Sequence, residues 1–177
     1  LWALSIEKQR KLFTGQDPRH ALAVTAANEH FTAMLAEWLL SHPEVLQGSE
    51  ERLQTLWLWH SAEEAEHKNT AFDLYAALGG NHHWRLVWFR RTTLAFLVDV
   101  TRQVLSNLYR DGSLYRPSTW ASAWHTLFGP TGLLRHIWRP WWDYRRRDFH
   151  PNQQASNLSA QWLEHNRHRF TPVGKTG

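Results

Sequence analysis

The stretch WHSAEEAEHKNTAFDLY, residues 59–75, sets three neighbouring carboxylates, Glu63, Glu64 and Glu66, and two histidines, His60 and His67, into a segment with the apolar period of a core-facing helix. At about 100° per residue, Leu53, His60, Glu64, His67, Ala71, Leu74 and Leu78 return to nearly one direction. They form a stripe that is apolar above and below its polar trio, so the pattern predicts charge on a buried face. Glu63 and Glu66 lie well off that direction, and Lys68 faces away. A lone buried carboxylate is costly unless it is paired or binds a cation. Glu64 is therefore expected to bind a metal ion, with Glu63 and Glu66 as helpers or surface groups.

Outward from this stretch almost every segment has helical period, and the alternation of half-buried strands is nearly absent. The chain reads as all-α. Residues 1–13 look like the end of an element. Asp17 caps, and Pro18 opens, a helix running to about His42, where Pro43 stops it. Ser49 is the expected cap of a second long helix, with Glu50 and Glu51 in its first turn, ending at Gly79-Gly80. A short connection makes these two helices antiparallel neighbours. A third helix is expected over 82–110, then shorter ones over about 118–128, 131–147 and 154–169. At 177 residues the length suits a single all-helical metal-binding domain over 1–177.

On the first helix the wheel groups Leu22, Thr25, Ala26, Glu29, Ala33, Ala36 and Leu40, leaving Glu29 among small apolar side chains. Two antiparallel helices, each with an inward Glu and one with Glu-x-x-His, match half of a di-iron carboxylate site in a helical bundle. His60 and His67 stand about 10.5 Å apart along a helix axis, too far for one ion. Two ions about 3.5–4 Å apart would give each imidazole its own metal, with Glu64 between them. No His-Glu-x-x-His occurs, so the zinc-protease motif is missing. Cysteine is absent, and nitrogen and oxygen donors alone suit Fe or Mn, with Zn a weaker fit. The competing reading has His60 and Glu64 satisfying each other and Glu29 bonded to a backbone or third-helix group. Among other candidates, His30 points away from Glu29 and is expected beside the site or at the surface. Asp99 is expected to pair with a cation such as Arg102, and His82-His83, His165 and His168 to lie on exposed helix ends.

The net charge is +4 and the pI near 9.8, but the basic residues are interleaved with Trp and Tyr and carry no nucleic-acid signature. The densest such stretch, WRPWWDYRRRDFHP (138–151), reads as a solvated helix end; the rival reading is contact with an anionic membrane surface or an acidic partner. The uncharged run 117–134 is nearly long enough to span a membrane. Its two prolines and two glycines argue against that and leave an interfacial segment open. No signal peptide or basic n-region appears at Leu1, and a cytoplasmic location, peripheral to a membrane if the C-terminal third attaches, is expected.

On AANEHFTAMLAEWLL (26–40), WHSAEEAEHKNTAFDLY (59–75) and WWDYRRRDFHP (141–151), the sequence resembles the bacterial predicted metal-dependent hydrolases, placed among ferritin-like helical proteins. The motif His-x-x-x-Glu-x-x-His with a preceding Glu is also similar to di-iron enzymes of the p-aminobenzoate N-oxygenase type. These resemblances imply Glu29, His60, Glu64 and His67 as ligands of two transition-metal ions, iron foremost. They imply either oxygen-activating oxidation of a small organic substrate, or hydrolysis by metal-bound water with Glu63 or Glu66 moving protons. Both families have upstream helices with a further Glu and Glu-x-x-His, whereas the only acids before Glu29 here are Glu7 and Asp17, and His20 completes no motif with either. The expectation is a ferritin-like bundle with extra C-terminal helices that lacks its N-terminal helix pair through truncation, or a homodimer that completes the site across two copies, or a metal weakly held or absent. A non-catalytic helical protein for partner or membrane-surface binding is the remaining class.

Overall fold

The computed structural model describes residues 17–154 and 156–169, the side chain of Glu66 excepted. The element expected over residues 1–13 lies outside them. Among the described residues all regular structure is helical, and the all-α expectation holds.

Helix α1, Pro18–Ser41, begins where the sequence places it. The Asp17 carboxylate accepts the Arg19 backbone N–H at 2.9 Å and also binds the Arg19 guanidinium. Those two bonds hold its pKa down at about 2. The cap therefore stays ionised until the pH falls through that value. Pro43 ends the helix and opens a 3-10 turn, Pro43–Leu46. The buried residues of α1 are mostly small, Ala23, Ala26, Ala27, Ala33 and Ala36, with Phe31 and Met34 between them.

Helix α2 spans Glu51–His67 and α3 spans Thr70–Ala77, so the single helix expected between Ser49 and Gly79 is two. Lys68 and Asn69, between the two, both keep right-handed dihedrals. At that break the Ala71 amide donates to Glu29 Oε2 at 3.4 Å, a partner far away in sequence. Ser49 does not cap α2: Glu50 occupies that position with no side-chain bond, and the Ser49 carbonyl instead accepts from Gln54 Nε2 at 2.8 Å. Gly79, at φ 72°, closes α3 as expected.

Helix α4, His82–Arg110, is capped by Asn81 Oδ1, which accepts the Trp84 N–H at 2.8 Å. It is followed by α5, Pro117–Phe128, α6, Leu133–Asp143, and α7, Leu158–His165, with 3-10 turns at Pro151–Gln154 and Arg167–Arg169. Helix α5 matches its expected span to within a residue, whereas α6 and α7 are shorter than the periods suggested.

The chain forms two compact units. The first joins residues up to Glu29 with Asn69–Ala121; its buried side chains include Phe72, Tyr75, Arg85 and Phe89, and the Arg85 guanidinium lies 5.1 Å from the Phe72 ring centre. A cleft of about 280 Å³ in this unit is lined by Asp17, Arg19, His20, Tyr75, Asn81 and Trp84. The second unit joins His30–Lys68 with Ser122 onward. There α2 packs against α7, and Tyr144 and Phe149 are buried around His30.

Candidate metal centre

Helix α2 carries the trio that the sequence singled out. Four residues apart, His60 and Glu64 turn to the same side and bring Nε2 and Oε1 to 3.7 Å. That is longer than a hydrogen bond but within ion-pair reach, and is the mutual pairing that the competing reading allowed for. His67 follows one turn on. The Trp57 ring meets the His60 ring edge-on at 6.3 Å between centres.

The face is not buried, which corrects the expectation. The His60 and Glu64 side chains are 51% and 27% exposed, His67 is exposed, and Leu53, Leu74 and Leu78 are all more than two-fifths exposed. What α2 buries is Ser61, Ala62, Ala65 and Lys68, a strip about a third of a turn round the helix. Small residues won because a neighbour can approach them most closely, and the break after His67 ends the register that would have carried the stripe on to Leu74 and Leu78. Glu64 therefore needs no cation to offset burial. The metal reading rests on spacing and donor chemistry.

Glu29, in the first unit, is half-buried and takes the Ala71 N–H described above. This is the backbone partner that the competing reading allowed for. Glu63 is half-buried, and the Glu66 side chain lies outside the described residues. Among the described residues no three His, Asp or Glu come close enough together to hold an ion. The donor types fit an Fe, Mn or Zn ion, but their number does not close a site.

Other polar residues behave differently from the sequence reading. His30 is 2% exposed, with Nε2 3.1 Å from the Pro140 carbonyl and its ring 4.6 Å from that of Tyr144; it is a core residue, not a surface one. Lys68, expected to face away, is buried: Nζ donates to the Gln154 carbonyl at 2.9 Å and pairs with Glu37 Oε1 at 3.6 Å. The Ser156 hydroxyl donates to the same Glu37 oxygen at 2.8 Å. Nearby, His42 and His136 meet edge to face at 6.0 Å. Burial first, and then the neighbouring His42, push the His136 pKa down, against an opposing pull from Glu37. This cluster escaped the sequence reading, although Ser61, Ala65 and Lys68 at i, i+4 and i+7 did signal a shared face. Asp99, His83, His165 and His168 are exposed, and His82 Nδ1 lies 3.1 Å from Arg85 Nη2.

Comparison with known proteins bears on what the α2 face is for. No curated protein and no solved structure matches the chain. The family model described as predicted metal-dependent hydrolase matches residues 3–155, a span that holds α1 to α6 and with them every residue expected at the site. The chain belongs to the predicted metal-dependent hydrolase family.

Proposed function

We propose that the chain is a metal-dependent hydrolase of a small organic substrate, with the α2 face of His60, Glu64 and His67 as its metal-ligand face. The observation that carries this is the 3.7 Å approach of His60 Nε2 and Glu64 Oε1 on an accessible face, in a family described as metal-dependent. A divalent ion supplies Lewis acidity and an activated water in such chemistry. Glu63 and Glu66, flanking Glu64 in sequence, are the carboxylates assigned to take and return a proton. The reading of Glu29 as a fourth ligand rests on its sequence position alone.

The test is elemental analysis per chain, with ester hydrolysis measured before and after metal removal and re-addition. His60→Ala, Glu64→Ala and His67→Ala should each lower metal content and hydrolysis together. Unchanged metal content and activity in Glu64→Ala would refute the assignment.

A second reading is favoured by the His-x-x-x-Glu-x-x-His spacing and the sulfur-free donor set: a dinuclear iron centre that activates dioxygen to oxidise a small apolar or aromatic substrate. Two metals per chain, with substrate-dependent oxygen uptake by the iron-loaded protein, would select it. A redox-silent zinc protein with esterase activity would select hydrolysis. One metal per chain in a dimer would place the site across two copies.

A further inference from the structure

Helix α6 presents a face that the metal reading does not use. Arg135, Trp138, Arg139 and Trp142 follow at i, i+3, i+4 and i+7 and so share one side of the helix. All four are exposed, Trp138 by 62% and Trp142 by 50%. His136, Ile137 and Pro140 turn the other way and are half-buried. The Trp138 ring stacks on those of Trp141 and Trp142 at 6.2 and 5.7 Å between centres. The Arg145 guanidinium lies 4.3 Å from the Trp142 ring centre; in the next turn Arg147 is exposed, and Arg146, also exposed, is paired with Asp148. The result is an indole patch rimmed by guanidinium groups on the surface of one helix.

We infer that this face of α6 is a docking surface for an anionic lipid bilayer. Indole rings, with an apolar body and one N–H donor, favour the headgroup depth of a bilayer. Arginines at the same level pair with lipid phosphates and respond to the negative surface potential. A helix of 11 residues with this division of faces lies in the interface plane. No helix among the described residues is long and apolar enough to cross a membrane, so the contact made by this face is peripheral. Single-stranded nucleic acid is the weaker match, because base stacking needs open ring faces. Here the indoles cover one another and Arg145 covers Trp142.

The experiment is co-sedimentation of the full chain with phosphatidylcholine vesicles, with and without about a third phosphatidylglycerol, at low and high salt, and with a single-stranded oligonucleotide as competitor. Binding should require the anionic lipid, weaken with salt, and shift tryptophan emission to the blue. The double variants Trp138→Ser/Trp142→Ser and Arg135→Gln/Arg139→Gln should each weaken it at least about ten-fold. Both pairs are exposed, and circular dichroism checks that each variant folds; the arginine pair keeps the test decisive if the tryptophan pair disturbs the helix. Absence of binding to anionic vesicles, equal binding by both folded variants, or displacement by the oligonucleotide at matched charge would overturn the inference.

Discussion

Lys68 shows how one residue changes the reading of a helix. A lysine inside a run of acids reads as solvated, yet its side chain is 8% exposed and its ammonium is held by the Gln154 carbonyl and Glu37. Removing one partner of a buried pair strands the other, and for fully buried pairs this costs about 3–5 kcal/mol. The Glu37 side chain is 20% exposed and keeps its bond from Ser156. Lys68→Ala should therefore lower unfolding stability by about 2 kcal/mol in a denaturant titration. Lys68→Met, which keeps the volume, should cost less, and equal losses would mean that charge rather than packing is what Lys68 supplies. Gly80 gives a steric counterpart. A Cβ there would fall on the Tyr75 ring, which is 3% exposed and whose hydroxyl donates to the Asn81 carbonyl at 2.8 Å. Since moving that ring would break its bond to Asn81, Gly80→Ala should cost about 1–3 kcal/mol in the same titration.

Between elements, the second half of α1 and α6 are joined by contacts that include one titrating group with a shifted pKa, His136. Trp38 donates its indole N–H to the Thr131 carbonyl at 2.9 Å, His30 meets the Pro140 carbonyl, and His136 faces His42, with Glu37 and Lys68 close by. The His136 pKa is depressed from its ordinary value of 6.5. The unfolded chain therefore takes up this proton first as the pH falls, and stability is lost from about 6.5 downward until the folded-state value is passed. His136→Gln should flatten the stability profile between pH 7 and 5 relative to the native chain; parallel profiles would show that His136 does not contribute. The ends of these elements were legible where local chemistry sets them: Asp17-Pro18, Pro43 and Gly79 act through their own backbone and nearest neighbours. The break at Lys68-Asn69 was not, because it leaves both residues right-handed and its visible partner, Glu29, is forty residues away. The buried face of α2 was misread for a related reason. Periodicity identifies a stripe, but when one stripe is leucine and histidine and another is serine and alanine, only the neighbour's fit decides which is covered.

At the scale of the chain, the helical class and the family were legible from period and motif, while the closure of the site was not, since it depends on which donors meet. Spacing put His60 and Glu64 on one side, and they are there, 3.7 Å apart. It also placed Glu29 with them, a matter that no local rule can decide. The measurement suited to this scale is metal-linked stability. A ligand that binds only the folded state at about 100 times its Kd stabilises it by about 2.7 kcal/mol. For a chain of this size that raises Tm by roughly 5–10 °C. Iron, manganese or zinc added to metal-stripped protein should produce such a shift, and the double variant His60→Ala/Glu64→Ala should abolish it while keeping the metal-free Tm within a few degrees, because both side chains lie on an accessible face. If two copies share the site, the shift grows with protein concentration, since dimerisation is then linked to binding; if one chain closes the site, it does not. A shift of equal size in the double variant would place the metal away from α2, and the hydrolase assignment of that face would fall with it.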